Sequence, residues 1–447
     1  MPANGVLKTS LANGLTVLIK EMHHAPVATF WVWYRVGSRN EVPGITGISH
    51  WVEHMMFKGS PTYPKGALDR LISREGGRFN AFTFIDFTAY FHTFPAEKID
   101  LALRVEADRM QNSMFDPEEV AAERTVIISE RQGHENEPMF VLGEEMQAAA
   151  FRVHPYHHEV IGDQCDLETM TRDQLFRHYR TYYTPSNAIV VVAGDFERDR
   201  MLDRIGELFG PIPAGPSVPP VTRVEPPQHG ERRFTIDGDG QTSYVQVAYH
   251  APDAESPDFF PLAVLDSILG GASSFTLAGG GGTNRSSRLY QALVTTGIAA
   301  SVGAGLTPTV DPYLYTVTAI PLKRHSPARV EAAIEAELQR MIDEPVTPRE
   351  LTKAIKQAKA QFAYGSESVT DQGFWYGFSE LLVNHGWFEH YLEHLEAVTA
   401  ADIQRVASQI LVPANRTIGW YVPRNGVKRK RKTTNSKIKD KAKGKKG

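Results

Sequence analysis

Short apolar runs of strand length, separated by longer stretches of helical period, recur through both halves of the chain. Near the start, residues 7–11 and 15–20 flank Asn13-Gly14, a strong signal for a β-hairpin. Residues 188–193 and 417–422 are apolar strand-like runs, and residues 243–249 alternate as a half-buried strand does. Residues 259–269 predict an apolar helix, with Leu262, Val264, Leu265 and Ile268 in it. Residues 78–85 have the aromatic and β-branched content of a strand, opened by the turn Gly76-Gly77. Strands and long helices mixed in each half predict an α+β architecture.

The pattern also repeats. Thr171, Leu175, Pro185 and Asn187 have counterparts at Thr399, Ile403, Pro413 and Asn415, each 228 residues later. Both copies predict a helix, a Pro-x-Asn turn and an apolar strand. Between the halves, residues 210–231 are dense in proline, which resists regular structure and predicts an interdomain linker. The expected organisation is an N-terminal domain over residues 1–209, the linker, a C-terminal domain over 232–423 and a tail over 424–447. That tail holds 12 lysines and arginines against one aspartate, so it is expected to be disordered and free to touch acidic surfaces.

Composition narrows the function classes. Hydrophobic content of 42% and charged content of 22% are ordinary for a soluble globular protein. The single cysteine, Cys165, excludes an intramolecular disulfide and a cysteine-based zinc site, and it suits a reducing compartment. No apolar run approaches the roughly 20 residues needed to span a bilayer. The N-terminus lacks the charged-then-apolar order of a signal peptide. A cytoplasmic location is the expectation.

The candidate chemistry lies in His50-Trp51-Val52-Glu53-His54. On a helix, residues four apart share a face, so His50 and His54 can address one metal ion while Glu53 stands beside it. Two imidazoles and a carboxylate, with a fourth position open to water, suit Zn2+. The same pattern recurs at His390-Tyr391-Leu392-Glu393-His394, although roughly 0.07 matches are expected by chance. Only the first copy is followed by a helical-looking run with two glutamates seven apart, Glu123 and Glu130. The first copy is therefore the expected metal site. The second is expected to be a solvated helix face, and residues 259–269, the repeat partner of the motif helix, hold neither histidine nor glutamate.

The sequence around these residues resembles the pitrilysin-type inverted-zincin (M16) metallopeptidases, specifically bacterial two-domain proteins similar to the subunits of mitochondrial processing peptidase. The resemblance rests on residues 47–60 around the motif and on Gly76-Gly77-Arg78-Phe79-Asn80-Ala81-Phe82-Thr83. It continues through 123–130, His154-Pro155-Tyr156 and Tyr183-Thr184-Pro185-Ser186-Asn187-Ala188. It implies two similar domains forming a clam-shaped half-chamber, with zinc in the first only. The third ligand it implies is Glu130, 76 residues beyond His54, supported by Glu123. Glu53 becomes the catalytic base, and Asn80, with Ala81 and Phe82, the strand that receives peptide.

Two stretches bear on partners. The glycine-rich segment 270–282 resembles a substrate-touching loop of the noncatalytic processing-peptidase subunit. In many relatives an arginine and a tyrosine hold the substrate, but Val294 and Ala300 stand in those places here. Either Arg288 or Tyr290 substitutes, or a partner supplies the pair. The expectation is a zinc endopeptidase of short or unfolded peptides, paired with a related zinc-free subunit or with itself. The alternative is a structural or chaperone-like subunit of the same fold, against which the intact His50, Glu53, His54 and Glu130 set speaks.

Overall fold

The computed structural model of the chain describes residues 5–272 and 285–424. Six strands form the first sheet: β1 (Leu7–Ser10), β2 (Thr16–Glu21), β3 (Val27–Tyr34), β4 (Arg78–Thr83), β5 (Thr88–Pro95) and β6 (Ala188–Gly194). Five form the second: β7 (Arg232–Gly238), β8 (Tyr244–Ala251), β9 (Ala299–Leu306), β10 (Tyr313–Pro321) and β11 (Arg416–Pro423). The strand orders are β1-β2-β6-β3-β5-β4 and β7-β11-β8-β10-β9. The β2–β6 and β7–β11 pairs are parallel, and every other neighbouring pair is antiparallel. With β1 set aside, the two orders match strand for strand. The internal repeat thus extends across each sheet, beyond the helix–turn–strand segment where sequence alone reveals it.

Local sequence explains which strands lie at the centre. β6 reads Ala-Ile-Val-Val-Val-Ala-Gly and is buried along its whole length between β2 and β3, as a strand covered on both faces must be. In β3 the two-residue period sends Phe30, Val32 and Tyr34 into the core under the first half's own helices. Trp31 and Trp33 face the other way, into a core shared with the second half. There the helix Val369–Leu382 lies across β3 and β6. Gly373 and Gly377 permit that approach: a Cβ on them would stand 2.4 Å from the Trp31 ring and 2.0 Å from Trp33 Nε1. Reciprocally, Pro138–Ala150 of the first half packs on β7, β8 and β11. Each half therefore lends a helix to the other's sheet.

The proline-rich stretch has no helix or strand over residues 213–229. It is nevertheless fastened down, because the Glu225 carboxylate accepts the backbone N–H groups of Arg152, Val153 and His154 at 2.8, 2.9 and 3.1 Å. Residues 273–284 of the glycine-rich segment, and the basic tail from residue 425 on, lie outside the described residues. Among the described residues, no helix is long and apolar enough to cross a membrane.

Candidate metal and catalytic site

The motif lies on the helix Ile48–Met55. Its apolar face, Ile48, Trp51, Val52 and Met55, is buried, which turns His50 and His54 toward the opposite side. Gly47 begins the helix at φ 84°, and a Cβ there would stand 2.3 Å from the Ile161 carbonyl oxygen, so only glycine fits. The free N–H groups of this first turn are met by a buried carboxylate. Glu41 accepts from Gly47 N at 2.8 Å and from Ser49 N at 2.9 Å.

Facing the motif is the helix Pro117–His134, capped by Asp116 and opened by Pro117. Its seven-residue spacing places Glu123 and Glu130 on one side, toward the histidines. Arg124 does not pair with Glu123. Its guanidinium donates to the carbonyls of Leu167, Glu168 and Met170 and lies 4.9 Å from the Trp51 ring, clamping this helix to the motif helix.

Glu130 Oε2 lies 3.9 Å from His50 Nε2 and 3.7 Å from His54 Nε2. One ligand atom from each of the three residues falls within 4.8 Å of the others, and no other such group of His, Cys, Asp or Glu occurs among the described residues. A tetrahedral zinc ion holds its ligand atoms about 3.3 Å apart, so small side-chain movements close the site. Glu123 Oε1 stands 2.9 Å from His54 Nδ1. That contact fixes the proton on Nδ1 and leaves Nε2 as the electron-pair donor. Glu123 in turn receives the Lys58 ammonium at 2.5 Å. Glu53 is buried, and the Thr83 hydroxyl donates to its Oε2 at 2.6 Å.

Electrostatics favour a cation here. Burial pushes His50 down to about 3, with the charge of His54 adding to the effect, so its imidazole is neutral and free to ligate. Burial also works against the charged form of His54, but the Glu123 hydrogen bond and the charges of Glu53 and Glu130 prevail and raise it. For Glu53, burial wins over the Thr83 hydrogen bond and lifts the carboxyl above its ordinary value. Glu123 is held below its ordinary value, since the hydrogen bonds from His54 and Lys58 outweigh burial. Three carboxylates around two imidazoles and one ammonium leave negative charge in excess. The donor set fits zinc.

The remaining expected residues fall in different places. Asn80 is exposed in the middle of β4, the outer strand of its sheet, and β4 runs against the motif helix. Ala81 is buried, and the Phe82 ring stands edge-on to Trp31 and Trp33 at 6.3 and 6.2 Å. The Phe82 side chain is partly buried and packs against the core shared by the two halves. The Arg288 guanidinium pairs with Glu350 at 2.9 and 3.1 Å rather than with a residue of the cluster. His390, Glu393 and His394 of the second histidine pattern are exposed, as expected of a solvated face, but they do not lie on one continuous helix. His390 sits at the break between His385–Glu389 and Tyr391–Ala397, and His394 stacks on Phe260 at 4.7 Å. Sequence reasoning passed over Lys58, Thr83 and Glu41. Lys58 was detectable, since it follows His54 by one helical turn.

The family comparisons bear on the same residues. The description "Insulinase (Peptidase family M16)" matches residues 16–164, which contain the whole cluster, and "Peptidase M16 inactive domain" matches residues 169–358. The chain belongs to the M16 peptidase family. An uncharacterized zinc protease of Mycobacterium leprae (strain TN) is 29% identical over 413 residues, covering 91% of this chain and 89% of its own. A probable mitochondrial-processing peptidase subunit beta of Arabidopsis thaliana is 28% identical, covering 93% of this chain and 78% of its own. Among solved M16-like folds, a protease from Helicobacter pylori superposes with a TM-score of 0.88 at 26% identity, covering 94% of this chain and 100% of its own. The two-domain α+β fold expected from the sequence is the fold of this M16 chain.

Proposed function

We propose that this chain is a zinc-dependent endopeptidase of short or unfolded peptides, acting as the catalytic subunit beside a related zinc-free chain. The observation that supports it most is the convergence of His50, His54 and Glu130, with Glu53 alongside and the open edge of β4 next to them. Those three residues would hold zinc, which would supply a Lewis acid for the scissile carbonyl and lower the pKa of water toward about 7. Glu53, oriented by Thr83, takes the proton of the attacking water and returns it to the leaving amine. Glu123 holds His54 in register through Nδ1, and Lys58 balances the charge of Glu123. β4 receives the peptide as an added strand, with the exposed Asn80 beside its backbone.

The partner is argued from what this chain lacks. Val294 and Ala300 offer no hydrogen-bonding side chain, and Arg288 is occupied by Glu350. Polar contacts to the substrate then come from a second, zinc-free chain, or from a second copy in a homodimer. The test is cleavage of an internally quenched extended peptide by the purified chain, alone and mixed with a zinc-free relative from the same source. Cleavage that rises on mixing, with co-elution of the two chains, is the expected result. Zinc-loaded protein that stays inert in every mixture would contradict the peptidase reading and favour a structural subunit.

A further inference from the structure

The second half contains a buried carboxylate at the place where the first half holds its metal cluster. The helix Phe259–Leu269 follows β8 as the motif helix follows β3. Gly59 and Gly271, at φ 106° and 99°, turn the chain after these two helices. Asp266 precedes Gly271 by five residues, as His54 precedes Gly59. Between this helix, Pro348–Tyr364 and β9 lies a cavity of about 60 Å³, space for a few waters or one compact head group.

Aromatic rings wall that cavity: Phe259, Phe362, Trp375, Trp387 and Tyr391. Phe362 stacks on Tyr391 at 4.6 Å, Trp375 stands 5.5 Å from Phe362, and Trp387 stands 5.2 Å from Tyr391. Both indole N–H groups are engaged elsewhere, Trp375 with the Gly365 carbonyl and Trp387 with that of Ala254. The indoles therefore offer the cavity only ring surface. Asp266 is 5% exposed, and its Oδ1 has no hydrogen-bond partner. No lysine, arginine or histidine among the described residues lines the cavity.

An ionised carboxylate buried without a countercharge is costly, and π faces attract cations. Together these features complement a small positive group. They do not suit a divalent metal, which needs several oxygen, nitrogen or sulfur donors where one carboxylate is present. Burial pushes Asp266 up to about 7, against the opposing effect of the Tyr315 hydroxyl.

We propose that this cavity binds a guanidinium or primary ammonium group, carried by an arginine or lysine side chain of a peptide or by a free small amine. The site is independent of the peptidase reading, because binding is measured without turnover. Isothermal titration of the full-length chain uses two probes: methylguanidinium alone, and a capped alanine pentapeptide with a central arginine, compared with its citrulline twin. Binding of methylguanidinium, weakened at least about tenfold by Asp266→Asn, is the expected result. Arginine peptide bound in preference to citrulline peptide assigns the group to a peptide side chain. Methylguanidinium binding alone assigns it to a free amine. Should Asp266→Asn fail to fold, Tyr391→Leu provides the same comparison at the aromatic wall. No binding of either probe to folded wild-type chain, or equal binding by the folded variants, overturns the proposal.

Discussion

Single side chains at the site have separable jobs. Glu53 bonds to Thr83 and not to a proposed ligand atom, whereas Glu123 would act on a bound metal only through His54 Nδ1. Glu123→Gln should therefore weaken zinc about 10–100-fold in a competitive chelator titration, since it removes the charged partner that orients the imidazole. Glu53→Gln should leave that affinity within about threefold and abolish cleavage. The opposite pattern, zinc lost with Glu53 and kept with Glu123, would reverse the two roles. His50, Glu53 and His54 were legible because helical spacing groups them, and spacing likewise put Glu123 and Glu130 on one face, but joining that pair to the histidines took the family resemblance. Thr83 was not legible, since its use depends on β4 passing Glu53, a tertiary fact. The pairing of Arg288 with Glu350, 62 residues away, was equally invisible, since nothing local to Arg288 announces it.

Elements were legible where period and punctuation agreed. The apolar helix occupies Phe259–Leu269 as its composition predicts, and β6 extends the expected residues 188–193 by one. The second histidine pattern shows the limit, because a helix break at His390 cannot be seen in a five-residue match. Least visible was the exchange of helices between halves, since apolar residues do not declare which sheet they cover. That exchange makes a sharp prediction. Gly377→Ala drives a methyl into Trp33 and should destabilise the chain by about 3 kcal/mol or more in urea unfolding. Gly206→Ala has nothing within 4 Å and lies within a helix, so it should stabilise by roughly 0.5–1 kcal/mol. Equal effects of the two substitutions would contradict the packing of Val369–Leu382 against β3.

At the scale of the whole molecule, the halves are also joined by charge. Asp311 of the second half receives Arg39 at 2.5 Å and lies 3.1 Å from His154 Nε2, both from the first. Burial acts to raise the Asp311 carboxyl, but the hydrogen bonds with His154 and Arg39 outweigh it and hold it at about 2. A carboxylate depressed in the folded state stabilises above its unfolded value of about 3.9, and that stabilisation is lost as pH falls toward about 2. Asp86 beside it is pushed up to about 6 by burial and acts in the opposite sense, so the informative quantity is a difference. Asp311→Asn should lower stability by about 1 kcal/mol at pH 7, allowing for solvent screening, with the gap to wild type closing between about pH 4 and pH 2. A gap unchanged across that range in urea titrations would rule out the interdomain ion pair as its source. The proposed activity rests on the cluster of His50, His54 and Glu130, and the most direct measurement is zinc stoichiometry and kcat/KM on the same preparations of wild type, Glu53→Gln and Glu130→Gln, each alone and mixed with a zinc-free relative from the same source. One zinc per chain in wild type and Glu53→Gln, cleavage in wild type alone, and zinc lost from Glu130→Gln is the result expected. Full activity in Glu53→Gln, or wild-type chains that cleave peptide without zinc, would contradict it.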